Sequence, residues 1–540
     1  MSVGTTINQS FRQQTLSSQR LATIAVLVVL SLLSITLFHA SLRLYFIKAA
    51  PHSAPIAFAP LLVSALACLF LHLNYSTLVP VMRIALRSSS LGLLTYLLVE
   101  PPDLTLAATA FAGDAQYISV GYYFAVACGI ASIFSPALNI PVAIYILSSR
   151  LMMQGIAGMS TSLLDIRYMV DMTIYLTVFS MIVTRWGSII LPQWDQQELQ
   201  EDVTFIAFGL HLGNYFWSAI AKAAAGPHLW TWIVENQTQN LIPYAFDKGA
   251  LPIAQWPSLV QAVYDGMHAL AVPLNLVIFG FQLFAICCVW RLSWLKVATV
   301  FYDMFHIGIF VMGGLFFWPW IWNNFTVLLA AYSLKQISNS AKLACFLTIA
   351  LGIPALHLYK PARLGWFDVA DARQSYFEAV TDTGKARVPA SFFLSQSFGV
   401  SLGYMDTASH AGQYDYTPWN AARAYSRQLT SGYCPPPEPA VPASIESDDA
   451  KAKRLERIGR FVRAHHAEML QREATLGRYN YLLRVHHQPS NPYLYREFTQ
   501  IPLKDVRAYN LVVESVCYKL EDGQLKRTVV GHTADRIDVR

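Results

Sequence analysis

The amino-acid sequence predicts an all-α polytopic membrane bundle of about 9–11 transmembrane helices, followed by a C-terminal α+β or mostly-β extramembrane domain. Three observations carry that expectation. The 540 residues are 54% hydrophobic and only 13% charged, whereas soluble domains are nearer a quarter charged. About three-fifths of the charges follow position 359, in the last third of the chain. The part before it is a succession of apolar runs near the length of about 20 residues that a bilayer requires. The expected division is an N-terminal membrane segment over 1–114, a transmembrane bundle over 115–358 and an extramembrane domain over 359–540.

The run 21–46 reads as the first span. It is too long for the core of a signal peptide, and no small-residue cleavage site follows it. Arg12 and Arg20 precede it and are expected on the cytoplasmic side. Further runs cover 55–78, 80–99, 115–135, 137–158, 167–190, 203–224, 258–290, 294–317 and 341–358. Residues 319–333 add a crossing or a re-entrant piece. Arg83 and Arg87 weaken the run 80–99, and 258–290 is long enough for a tilted helix with an interfacial lead-in. The loop 227–257 is rich in tryptophan and proline, a composition suited to a membrane interface or the mouth of a cavity.

Past 359 the character changes. Turn signals stand at 382–384 and 409–412, and CPPPEPAVP (434–442) reads as a stiff linker. Residues 446–475 have the period of an amphipathic helix. Residues 479–530 alternate like strands, with Asp522–Gly523 as a hairpin turn. No internal repeat is visible.

The net charge of +6 is spread thinly, with no basic face interleaved with aromatics, so no nucleic-acid partner is expected. Membrane lipids, and a peptide or lipophilic substrate, are the expected partners. Five of the seven cysteines lie in apolar runs and read as small hydrophobes. Cys434 and Cys517 are the two in the polar part; they can pair if that part faces an oxidising compartment. No metal pattern appears, and the adjacent pairs His465–His466 and His486–His487 should point to different faces. GVSLG (399–403) matches a nucleophile elbow by letter, but lacks the flanking strand and helix that motif needs.

The chemistry-bearing residues lie in two apolar runs. In HLGNYFWSAIAKAAAG (211–226), His211, Tyr215, Ser218 and Lys222 fall at i, i+4, i+7 and i+11, on one helix face. An ammonium in hydrocarbon costs a few to about ten kcal/mol, so a lysine kept there faces a cavity, finds a partner, snorkels or does chemistry. Shielded from water, it can act as a base. In FYDMFHIGIFVMGGLFFWPW (301–320), Asp303 and His306 are three apart, close enough for the carboxylate to orient the imidazole. Arg167 and Asp171 read as an ion pair at a helix start.

These two runs, with SRLMMQGIAGMSTSLLDIRYMVDMTIYLTVFSM (149–181) upstream, resemble the horizontally transferred transmembrane (HTTM) domain, shared by vitamin K-dependent γ-glutamyl carboxylases. The resemblance covers about 115–335, and its carriers are Tyr215, Lys222, Trp230 or Trp232, and Phe305–His306. It implies a multi-pass protein of a bacterial inner (cell) membrane and a reduced, vitamin K-like quinone as cofactor. In the carboxylase the corresponding lysine deprotonates the quinol, whose oxygenation then drives a lyase-type carboxylation. Carried over, Lys222 is the candidate base and His306 its catalytic partner, with His211, Tyr215, Ser218 and Asp303 in the substrate pocket.

Two functions follow as expectations. One is a membrane enzyme acting on a quinol or other lipophilic substrate through Lys222. The other is a non-enzymatic transporter or a maturation or assembly partner for an exported product, in which Lys222 merely anchors the helix at the membrane edge. A closed apolar cavity holding Lys222, Tyr215 and His306 would favour the first.

Overall fold

Ser17 opens the first helix by accepting a hydrogen bond from the Arg20 amide, and an uninterrupted apolar run carries it to Leu44 (α1, Ser18–Leu44). The computed structural model describes residues 17–46, 54–102, 112–157, 164–192, 194–352, 359–362, 364–401, 434, 448–477 and 488–539. The turn read at 409–412, the linker after Cys434 and the pair His486–His487 lie outside these residues. The helices that follow are α2 (Ala54–Phe70), α3 (Pro80–Val99), α4 (Ala112–Ser132), α5 (Asn139–Ala157), α6 (Leu164–Ile190), α7 (Gln196–Ala223), α8 (Thr231–Glu235) and α9 (Leu241–Asp247). Then come α10 (Pro257–Ala269), α11 (Ala271–Phe284), α12 (Leu292–Gly313), α13 (Trp318–Tyr332) and α14 (Asn339–Leu351).

Among the described residues four helices are long and apolar enough to cross a membrane: α1, α6, α7 and α12. A fifth is added if α10 and α11, bent by 74° at their junction, form one broken span. This is fewer than the 9–11 expected from the apolar runs, and the reason is local. α2, α13 and α14 hold 17, 15 and 13 residues, short of the roughly 20 a straight crossing needs. α3 carries Arg83 and Arg87, and the Arg87 guanidinium lies over the Tyr75 ring. An apolar run in sequence is thus divided by turns into shorter helices.

The described residues 359–362 and 364–368 have no regular secondary structure. Tyr359 donates to the Leu210 carbonyl at 2.7 Å, the Ala362 amide to Asn214 Oδ1 at 2.8 Å, and Trp232 Nε1 to the Trp366 carbonyl at 2.7 Å. Residues 359–362 and 364–368, a strap, therefore run along the C-terminal half of α7 and past its end. The domain boundary read at 359 falls inside this strap, whose backbone groups are met by side chains of the helices, as irregular backbone inside a bundle requires.

The strap leads into a four-stranded antiparallel sheet of order β2-β1-β3-β4: β1 (Asp371–Val380), β2 (Lys385–Arg387), β3 (Ala508–Glu521) and β4 (Gln524–Asp538). The β3–β4 turn is Asp522–Gly523, both at positive φ, as the sequence indicates. Strands expected between 488 and 507 do not form. Pro492 opens a 3-10 turn and Pro502 removes a ladder donor, so this stretch caps the sheet instead. A long helix (Asp448–Leu476) packs Ile458, Phe461, Val462 and Met469 inward. Its adjacent histidines diverge, His465 to the Phe392 carbonyl and His466 to the Tyr509 hydroxyl. Ser401 ends a short helix preceded by a 3-10 turn, not a strand, so no nucleophile elbow exists there.

A buried ion cluster ties the sheet to the helices. Asp247, buried at the end of α9, pairs with Arg387 of β2 (3.1 Å) and Arg527 of β4 (2.7 Å), and accepts from the Tyr518 hydroxyl (2.8 Å). Burial pushes its carboxyl up, but the two guanidinium groups and that hydroxyl outweigh it and hold it below the usual carboxylate range. Beside it Gly249 takes φ 66°, and any Cβ there would collide with the Tyr495 ring. Cys434 and Cys517 form a disulfide, with Cα atoms 5.8 Å apart.

At the opposite end of α7, Arg20 pairs with Glu198 and donates to Ser340 Oγ at 3.1 Å. The N-terminal ends of α1, α7 and α14 therefore meet at one face, and the sheet lies at the other.

Candidate functional site

Asp195 caps α7 by accepting from the amides of Gln197 and Glu198. From that start the helical period carries His211, Tyr215, Ser218 and Lys222 along one buried stripe. Trp217, off the stripe, turns away and donates to the Ile349 carbonyl.

Tyr215, Ser218 and Lys222 open onto a partly open cavity, in which about 80 Å³ can hold the centres of water-sized molecules. α11 contributes Ile278 and Gln282; α12 contributes Phe305, His306 and Ile309; α13 contributes Trp320; the strap contributes Leu364, Trp366 and Asp368. Most of the wall is aromatic or aliphatic. Polar groups gather at two levels, one near Lys222 and one near Tyr215, which seven residues of helix separate by about 10 Å.

At the outer level Lys222 is only 6% exposed. Its ammonium donates to the Leu364 carbonyl and lies 5.0 Å from the centre of the Trp232 ring. The Asp368 carboxylate interacts with it electrostatically. Asp368 is itself buried and accepts from Asn236 Nδ2 (3.0 Å) and Trp366 Nε1 (3.1 Å). Burial raises its carboxyl to about 6 against the pull of those donors and of Lys222. Of the two tryptophans the motif offered, Trp232 is in the wall, whereas Trp230 is 58% exposed.

At the inner level Tyr215 stacks face to face on Tyr302, centroids 3.8 Å apart. His306 and Trp320 close around it, with centroids 5.8 Å and 5.7 Å from the Tyr215 ring. Ser218 is occupied by backbone, donating to the Asn214 carbonyl at 2.6 Å and the Ala362 carbonyl at 3.2 Å.

Two expected site residues stand behind the wall. His211 donates from Nε2 to Asn324 Oδ1 at 2.8 Å and is fully buried. Asp303 accepts from Asn324 Nδ2 at 2.9 Å. The expected Asp303–His306 pairing is not formed among the described residues: although the two share a helix side, Asn324 of α13 takes the Asp303 carboxylate while His306 lines the cavity. Asn324 also exchanges hydrogen bonds with the Tyr215 hydroxyl (2.9 and 3.1 Å). It thus joins His211, Asp303 and Tyr215 in one network. Arg167 does pair with Asp171 (3.5 Å), and Asp171 also takes His39 of α1.

Sequence reasoning missed Asp368, Trp366, Gln282, Trp320 and Asn324. Asp368 and Trp366 fall past the last apolar run, and Gln282 and Asn324 are neutral amides with no motif. Among the described residues no cluster of His, Cys, Asp or Glu could hold a metal ion. Fold and site together define a mostly helical protein with a partly open, aromatic-lined cavity whose wall holds a buried amine and a buried carboxyl. Comparison with family models, characterised proteins and solved structures finds no match.

Proposed function

We propose that the chain is an integral membrane enzyme, like the vitamin K-dependent γ-carboxylases in its use of an intramembrane lysine base, acting on a quinol or other lipophilic substrate. The observation that carries this reading is where the Lys222 ammonium lies. It is buried with Asp368 in the wall of a largely apolar pocket, whereas an anchoring lysine would carry its ammonium out into water or headgroups. A flat, lipophilic diphenol suits walls of Trp232, Phe317, Trp320 and Trp366. In the proposed step the substrate O–H bond breaks, its proton forms an N–H bond on neutral Lys222, and the electron pair stays on oxygen. Asp368 faces the resulting ammonium. Tyr215 and His306 line the cavity one level deeper, with His211 and Asp303 supporting them through Asn324.

The proposed setting is a bacterial cell membrane. Leu30, Leu37, Leu276, Val297 and Met304 leave large apolar side chains exposed on the outer faces of α1, α11 and α12, as a lipid-facing surface would. With Arg20 on the cytoplasmic side, the sheet and its disulfide face the opposite, oxidising side.

The test is mass spectrometry of lipids and quinones that co-purify from native membranes, combined with turnover of a reduced naphthoquinone. Lys222→Ala and Lys222→Met should abolish turnover without lowering membrane expression. Near-normal turnover in either variant removes the catalytic role.

A further inference from the structure

Three buried polar atoms lining the cavity, Gln282 Oε1, Trp320 Nε1 and His306 Nδ1, find no hydrogen-bond partner among the described residues. Their residues are 3%, 2% and 3% exposed, and all three line the cavity. The His306 ring does interact with the Tyr302 carbonyl, yet its Nδ1 has no partner of hydrogen-bond geometry. A buried polar atom left unpaired costs roughly 1–3 kcal/mol, so three of them around one empty space form an unusual concentration. The polar groups of the outer level, in contrast, are bonded: Lys222 to Leu364, and Asp368 to Asn236 and Trp366.

We infer that the inner end of the cavity is a second recognition subsite. There Gln282, Trp320 and His306 bind a second hydroxyl or carbonyl oxygen of the ligand whose first hydroxyl faces Lys222. This rests on the lipophilic-diphenol reading and narrows it. Gln282 Oε1 can only accept, and Trp320 Nε1 can only donate. Lining the same cavity, the two have the complementary roles that one hydroxyl can meet, by donating to the glutamine and accepting from the indole. A carbonyl serves the indole, and His306 Nδ1 supplies a second donor when its tautomer places the proton there. The two levels lie about 10 Å apart along α7, near the length of an aromatic ring with para oxygens and a hydrogen bond at each end. The ligand class is therefore a flat aromatic molecule oxygenated at both ends.

The experiment compares two probes, 1,4-dihydroxynaphthalene and 1-naphthol, binding anaerobically to the purified full chain in detergent. The single hydroxyl of 1-naphthol is expected at Lys222, whose neutral amine is the strongest hydrogen-bond acceptor lining the cavity and becomes a charge-assisted partner once the proton moves. Gln282→Leu and Trp320→Phe should each weaken the diol about tenfold and change 1-naphthol less than twofold. Two variants on different helices guard against one failing to fold, and unaltered thermal unfolding certifies each. Equal weakening of both probes would reduce the three residues to wall, and no weakening of either would mean that water serves the unpaired atoms; each result overturns the subsite alone. If neither probe binds the unaltered protein while Lys222 variants remain folded, the diphenol reading falls and the subsite with it.

Discussion

The side chain of Lys222 donates its hydrogen bond to the main-chain carbonyl of Leu364, 142 residues later. That one contact places a helix-borne amine against an extended strap, and the strap brings Asp368 beside it. The amine, the carboxyl and the two indoles around them act as a unit, so removing one changes the others.

The first expectation concerns the amine. A base must be able to lose its proton, and arginine cannot under ordinary conditions. Lys222→Arg and Lys222→Met are both expected to lower turnover of a reduced naphthoquinone by about a hundredfold or more, the scale of general-base catalysis. Activity retained by Lys222→Arg would instead mark an anchor. Expression level and thermal unfolding of each variant separate loss of chemistry from loss of fold.

The second concerns pH. Burial holds Asp368 at about 6, above the ordinary 3.8. Below pH 6 the carboxyl is neutral and no longer faces the Lys222 ammonium as an anion, so turnover should fall on acidification through that value. Asp368→Asn should flatten this acid limb. For stability the sign is opposite. The folded state binds this proton more tightly than the unfolded chain, so the contribution of Asp368 declines as pH rises from about 4 to about 6. A turnover profile in Asp368→Asn that keeps the limb would assign it to another group.

The third concerns the joint between helices and sheet. Asp247→Asn removes the charge that holds Arg387 and Arg527 and is expected to destabilise the sheet by about 3–5 kcal/mol. The folded carboxyl lies below its ordinary 3.8, so its contribution is present above about pH 4 and is lost as pH falls through the lower, folded value. Thermal unfolding at pH 7 and pH 3 tests both statements: the unaltered protein should lose stability at pH 3, and Asp247→Asn should lose less between the two.

The fourth concerns the disulfide. Cys434 and Cys517 are separated by 83 residues, a loop whose closure is worth about 4–5 kcal/mol in the chain-entropy picture. Cys517→Ser should lower the unfolding temperature of the sheet domain. Thiol alkylation in intact cells, before and after reduction, reports the side of the membrane. If both thiols react without reductant, the sheet does not face an oxidising compartment.

Much of the local order was legible from residue pattern. The apolar run after Ser17 forms α1, Asp195 starts α7, the run 446–475 is a long helix, and Asp522–Gly523 turns β3 into β4. What misled was length. The run 258–290 breaks at a 74° bend, and 341–358 yields a helix of only 13 residues. Hydropathy records how apolar a stretch is, not where its backbone turns. The strand 371–380 was hidden because its partner β3 lies more than a hundred residues away, and 385–387 because it is three residues long and pairs only with 371–380.

By itself the sequence determined that His211, Tyr215, Ser218 and Lys222 share a face, because the helical period is a local property of the backbone. It also placed Phe305 and His306 on a second apolar helix. Only the tertiary structure decided which of them open onto one cavity. It turned His211 and Asp303 away to Asn324, and brought in Gln282, Trp320, Trp366 and Asp368. Those choices depend on how α11, α12, α13 and the strap pack against α7. Packing partners distant in the chain are fixed by shape and by the satisfaction of buried polar groups, neither of which a run of neighbouring residues encodes.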